Sequence, residues 1–352
     1  MSAYETVRKI MVVNEPADEE TRHLQIFHGL RALSIVWIVW VHHYAYNDTS
    51  VYSGAKIAKK LAVQYNTQPF NNAWLAVDTF FFISGFFLLY AIHKQMRSAG
   101  LAQALFYLAV RWWRFAKEVL EQIYFRPYTH FGPFCLGMAV AYSFVTKKPR
   151  FELNLVCQGA AWSAAFVAGA MVLFCTKQWG DGDALPEAWV AAVYAACHRL
   201  VWALCIGWLV FACISGRGGL VQSVLSSPLL VPLSRLSYAV YVLHVPLVWF
   251  RLWTIRERIL IWFLPMFYNA MGTLVLAFFV ALGASVFIER PLVVVKDLVL
   301  KWHVAPPSAK FSQRDGQPEK GGAKADGVHP GEPRTDSLET RSLRCDWFVC
   351  PQ

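Results

Sequence analysis

Arg31 and His42 stand eleven residues apart in one apolar stretch, HGLRALSIVWIVWVHHYAY over residues 28–46, with His43 next to the second. In a helix, eleven residues bring His42 to within about 20° of Arg31 and about 16 Å along the axis. A fixed cation and a titratable imidazole therefore share one face at two depths. Two readings fit that pattern. Arg31 snorkels to headgroups while His42 and His43 join Tyr44 and Tyr46 in an interfacial belt, or the polar groups mark a site inside the membrane. Other polar residues in apolar runs support the second. Asp78 lies in WLAVDTFFFISGFFLLYAIH, residues 74–93, on one helical face with Phe82 and Gly85. It serves there as a structural polar contact between helices or as a catalytic carboxylate. Arg111 and Arg114, three residues apart, begin a charged stripe continued by Glu118 and Glu121. Their planar donor forks suit phosphate, whether of lipid headgroups or of a bound molecule. In SYAVYVLH, His244 shares a helix face with Tyr241 and Ser237.

The elements that must position these groups are membrane helices. The chain has 352 residues, is 56% hydrophobic and carries 15 Trp, with a mean hydropathy of +0.36, a combination outside the range of soluble globular domains. Apolar runs at 24–46, 74–93, 131–145, 155–175, 187–215, 233–250 and 259–288 give about seven spans in an all-α polytopic bundle. Residues 102–125 read instead as an amphipathic helix, lying at the interface or lining a polar cavity. Residues 1–23 form a cytosolic lead-in without the pattern of a signal peptide. From 304 the chain is rich in Pro, Gly and charge, and is expected to be disordered.

Charge assigns partners and orientation. The net charge is +10, yet residues 306–352 contain seven Lys/Arg and seven Asp/Glu, so the excess lies in the membrane portion. That suits cytoplasmic loops facing anionic lipid and gives no sign of nucleic acid. The eight Cys show neither metal-ligand spacing nor a secreted disulfide framework. One conflict stands out. Basic residues at 94–126 and at 147–150 should both be cytoplasmic, but a single apparent span, 131–145, separates them. Either that segment does not cross or an odd number of spans is missing.

Several stretches occur together in one order: HGLRALSIVWIVWVHH, AVDTFFFISGFFLLY, RWWR, RPYTHFGPFCLGMAVAY, HRLVWALCIGWLVFACISGRGG, PLSRLSYAVYVLHVPLV and FIERP. This set resembles the acyltransferase-3 family, and within it the nose-resistant-to-fluoxetine branch, over about residues 25–291. The resemblance implies an integral membrane O-acyltransferase that moves an acyl group from a thioester such as acyl-CoA to a hydroxyl of a lipid, glycan or small molecule. It implies His42 as the general base, with Asp78 as a secondary catalytic candidate. Arg31, Arg111 and Arg114 become donor contacts, His244 with Tyr241 packs helices or positions the acceptor, and Glu289 anchors the last helix. No bound cofactor or metal is implied. The implied domains are a membrane domain at 24–303 between the N-terminal segment and the tail, in the endoplasmic reticulum or plasma membrane. The pattern departs from that branch after RWWR, where only FAKEVLEQIYF precedes RPYTHFGP, so a block of spans near 115–126 is expected to be missing. A non-catalytic lipid-handling protein, or an inactive shortened acyltransferase, is the alternative.

Overall fold

Long helices take up the apolar runs: α1 Ile26–Ala45, α2 Trp74–Met96, α3 Phe131–Lys147, α4 Leu155–Phe174, α5 Ala188–Ile214, α6 Leu230–Thr254 and α7 Phe263–Ala284. The computed structural model describes residues 3–13, 18–45, 52–53, 63–96, 130–147, 154–180, 186–256, 259–260, 263–289, 291–292 and 295. Among the described residues, six helices are long and apolar enough to cross a membrane, and α3 is a shorter apolar helix. An all-helical bundle of this kind is the architecture of an integral membrane protein, because a helix satisfies its backbone polar groups internally. Arg111, Arg114 and the tail from 296 lie outside the described residues, as does the side chain of Glu289.

Side-chain contacts fix the direction of each helix. Phe27 meets Phe86 and Phe87, and Trp37 Nε1 donates to the Pro69 carbonyl, so α1 and α2 are antiparallel. Going down α2, Asp78, Gly85 and Tyr90 meet His130, Phe134 and Phe144 in that order. The helices α2 and α3 are therefore parallel. Thr79 and Phe82 meet Trp202 and Gly207, which places α5 in the same sense, while α4 and α6 run the other way beside α5 and α1.

The parallel pair accounts for the charge conflict. The C-terminal ends of α2 and α3, where Lys94 and Lys147 stand, point to one end of the bundle. The same end receives Arg31 and the docked N-terminal helix Ala3–Met11. We call it the basic end. The segment read as a cytosolic lead-in is folded against it: Thr6 and Ile10 are buried, and Arg235 donates to the carbonyls of Lys9, Ile10 and Val12 as they leave the helix, the usual way a cation meets the last carbonyls of a helix.

Close approach sets the α2–α3 pairing. A Cβ at Gly85 would collide with the Phe134 carbonyl, and one at Gly137 with the Phe82 carbonyl. Small residues let membrane helices come backbone to backbone. At the end opposite the basic one, Asn72 Nδ2 reaches the Leu173 carbonyl at 2.8 Å and Thr176 Oγ1 at 3.1 Å, joining the start of α2 to the end of α4. The α5 terminus closes on Gly216 at φ +73°. Gly216 N–H bonds Cys213 O and Arg217 N–H bonds Ala212 O, a Schellman turn that needs the left-handed residue SGRGGL supplies. The outer helix α4 leaves Leu155, Val156 and Phe166 more than three-quarters exposed, an apolar surface suited to lipid.

Two expectations follow. Cysteines placed at Lys94 and Thr146, both exposed, in a background without native Cys, label from one face of the membrane, and one at Trp189 labels from the other; Lys94 and Thr146 on opposite faces would contradict the parallel pair. Gly137→Ala forces the two backbones apart and lowers stability by about 1–3 kcal/mol, read as a drop in the thermal unfolding midpoint.

Candidate functional site

Along α1, three histidines each find a partner on α6 or α7. Near the basic end His28 Nδ1 lies 3.0 Å from Ser234 Oγ. At the other end His42 Nδ1 lies 2.7 Å from His244 Nε2, and the buried His43 lies between Arg251 Nη1, 3.2 Å from its Nε2, and Thr273 Oγ1, 3.4 Å from its Nδ1. The partners advance along α6 as the histidines advance along α1, so these contacts hold two parallel helices in one register.

The His42–His244 contact is an in-plane one. The rings are within 7° of parallel with centroids 5.0 Å apart, and at a nitrogen separation of 2.7 Å that centroid distance means edge meeting edge rather than face on face. Its direction follows from the next bond. His244 Nδ1 is 3.0 Å from the Val240 carbonyl, which can only accept. The proton is therefore on His244 Nδ1, and in the neutral ring Nε2 is an acceptor. His42 must donate from Nδ1. Neutral His42 then carries its basic lone pair on Nε2. A backbone carbonyl one turn back on α6 thus sets the tautomers of two rings on two helices. Tyr241, half-exposed, sits with its ring centroid 5.9 Å from that of His244.

Asp78 belongs to a second polar centre. Its side chain is fully buried, with Oδ1 2.5 Å from His130 Nδ1 and 3.4 Å from Arg199 Nη1. His130, at the entry to α3, lies between the Phe81 ring, stacked at 4.5 Å and 12°, and the Arg199 guanidinium, whose Nη1 is 3.0 and 3.3 Å from the two ring nitrogens. The glycine-to-backbone packing of α2 on α3 delivers His130 to Asp78. Trp202 Nε1 donates to Thr79 Oγ1 and packs on Trp37 of α1 at 5.8 Å, so an aromatic pair links this centre to the helix that carries His42.

The sequence-derived residues are thus distributed over two centres. His42, His244 and Tyr241 come together, while Asp78 forms its own cluster. Arg31 lies at the basic end over the Phe87 ring, 5.0 Å from its centroid, away from His42. Ser237 turns to the Ser234 carbonyl rather than to His244. His130, Arg199 and Arg251 were not singled out from the sequence, although THFGP and HRLVW stood in the quoted motifs. The readable signal was a His or Arg inside or bordering an apolar run, the same criterion that selected Asp78.

A curated relative, nose resistant to fluoxetine protein 6 of Caenorhabditis elegans, is 31% identical over 130 residues, which is 35% of this chain and 16% of that protein. The chain therefore covers about a sixth of the relative's length. No protein-family model and no solved structure matches. The likeness supports a relation to the nose-resistant branch over about a third of the chain and leaves donor, acceptor and mechanism to be proposed.

Asp78→Ala takes the carboxylate from Arg199 and the acceptor from His130. Breaking a buried pair on one side costs about 3–5 kcal/mol, and Asp78→Asn, which still accepts a hydrogen bond, is expected to cost clearly less. Thermal unfolding of the two variants in detergent checks the order; equal midpoints would mean that the carboxylate charge does not hold this cluster.

Proposed function

We propose that this chain is an integral membrane acyltransferase that moves an acyl group from a thioester donor such as acyl-CoA to a hydroxyl of a lipid, glycan or small molecule, with His42 as general base. The observation that carries the reading is the 2.7 Å bond from His42 Nδ1 to His244 Nε2, backed by His244 Nδ1 on the Val240 carbonyl. That chain leaves His42 Nε2 as the atom that takes a proton. The partial likeness to a nose-resistant-to-fluoxetine protein supports the branch whose resemblance implies acyl transfer.

In the step proposed, the acceptor hydroxyl gives its proton to His42 Nε2 as its oxygen attacks the thioester carbonyl. The C–O bond forms, the C–S bond breaks, and the departing thiolate takes the proton back from His42, leaving ester and thiol. While His42 is an imidazolium its Nδ1–H bond to His244 becomes charge-assisted and so stronger. His244 orients the base as a carboxylate does in a hydrolase triad, without adding a negative charge inside the membrane. Arg31 stands about eleven residues of helix away, at the basic end. We assign it the phosphate end of a long donor, whose flexible arm would reach along the bundle toward His42. Arg111 and Arg114 enter as donor contacts through the resemblance alone.

The test is a direct transfer assay on the purified chain in lipid nanodiscs, with radiolabelled acetyl-CoA as donor and extracted membrane lipid as acceptor pool. His42→Ala is expected to lower kcat by about 10²–10⁴-fold with donor binding retained. His244→Gln, which still offers an acceptor oxygen to His42 Nδ1, keeps more activity than His244→Leu. Full transfer by His42→Ala would remove His42 as the base. Loss of lipid binding in place of turnover would favour a lipid-handling protein.

A further inference from the structure

The second polar centre does not behave as a closed ion pair. A guanidinium present only to neutralise Asp78 would take both carboxylate oxygens through its planar fork. Here Arg199 offers a single nitrogen, Nη1, at 3.4 Å from Oδ1, while Asp78 Oδ2 is buried and has no hydrogen-bond partner among the described residues. The short contact of Asp78 is with His130 at 2.5 Å. The same Nη1 leans on the His130 ring, and among the described residues Arg199 Nε and Nη2 make no hydrogen bond. Exposure has a direction: Asp78 is 0%, His130 3% and Arg199 25% exposed. Among the described residues, the cluster therefore opens on the Arg199 side. His198, the residue before Arg199 in the chain, stacks on Tyr194 at 4.8 Å and meets Trp74 edge-on at 6.3 Å, so an aromatic group adjoins Arg199 along α5.

We propose that Arg199, tethered at one nitrogen by Asp78 and His130, is an anion-binding residue that takes the oxygens of a phosphate or carboxylate group through its Nε and Nη2 donors. Asp78 and His130 are its positioning residues. They hold the guanidinium at one corner and aim its outer edge toward the opening, so that little side-chain entropy is lost when the ligand arrives. The neighbouring aromatic rings suit an anion carried on a less polar body, and the phosphate of a lipid and a free phosphate share the chemistry required. The proposal stands apart from acyl transfer and fails or holds without it.

The experiment is thermal unfolding of the full chain in neutral detergent at constant ionic strength, titrated with dihexanoyl phosphatidic acid, with inorganic phosphate, and with dihexanoylglycerol as the control that lacks the phosphate. The wild type is expected to gain a saturable rise in midpoint with one or both anions and none with the glycerol lipid. A rise with phosphatidic acid alone identifies a lipid headgroup as the source, and a rise with inorganic phosphate identifies a soluble anion. Asp78→Asn keeps an acceptor oxygen for Arg199 Nη1, and so its placement, while leaving the charge less neutralised, so half-saturation should fall about three- to tenfold. The double variant D78N/R199Q keeps the buried site electrically balanced and should lose the response. If Arg199 were only a counterion, the double variant would respond as the wild type does, and that result overturns the proposal, as does a wild type that responds to neither anion. Should the double variant show no cooperative transition, Asp78→Asn decides: unchanged or weaker half-saturation counts against the site.

Discussion

A ring N–H buried among apolar helices has no water to turn to, and leaving it without an acceptor costs about 1–3 kcal/mol. That constraint organises the bundle. His244 meets it with the Val240 carbonyl of its own helix, which commits its second nitrogen to accept and so draws His42 of α1 toward it. His43 is similarly enclosed by Thr273 and Arg251. Apolar packing around these contacts, with Ile35 and Val39 against Leu236, Val240, Ala277 and Ala281, supplies area but little directional information. The polar contacts select one register among the many that smooth apolar faces would allow.

The same logic explains the separate centre on α2. A carboxylate cannot stay in a helix core unaided, and Asp78 is accompanied by an imidazole from α3 and a guanidinium from α5. Three helices converge because one residue demands it, and two glycines make the convergence sterically possible. The two centres are joined through Trp37 and Trp202, rings whose bulk fills the space between α1 and α5.

Much of this was readable in the residues. Helix positions followed from the length of apolar runs, and the face shared by Asp78, Phe82 and Gly85 is the face that packs, with Phe82 and Asp78 buried. His42 with His244 was readable as two noted residues but not as a pair, because nothing in a one-dimensional pattern says which of several amphiphilic spans lies beside α1. His130 escaped for a related reason. It stands just outside the apolar run, where a histidine looks interfacial, and only the parallel course of α3 beside α2 brings it to Asp78. The charge conflict, by contrast, was a true signal. Basic residues at the ends of two successive apolar runs were reporting that those runs point the same way.

The contacts that fix α1 also bear on how such a chain is made. His42 leaves the ribosome 202 residues ahead of the imidazole that accepts its proton, a gap of about 10–40 s at ordinary elongation rates. Throughout that interval α1 is a hydrophobic segment whose three imidazoles still await their partners on α6 and α7, while the Phe87 ring that Arg31 meets has already emerged on α2. Lateral release into lipid would expose them to hydrocarbon, so α1 is a segment for which retention beside the translocation machinery, until α6 has emerged, is the lower-energy course.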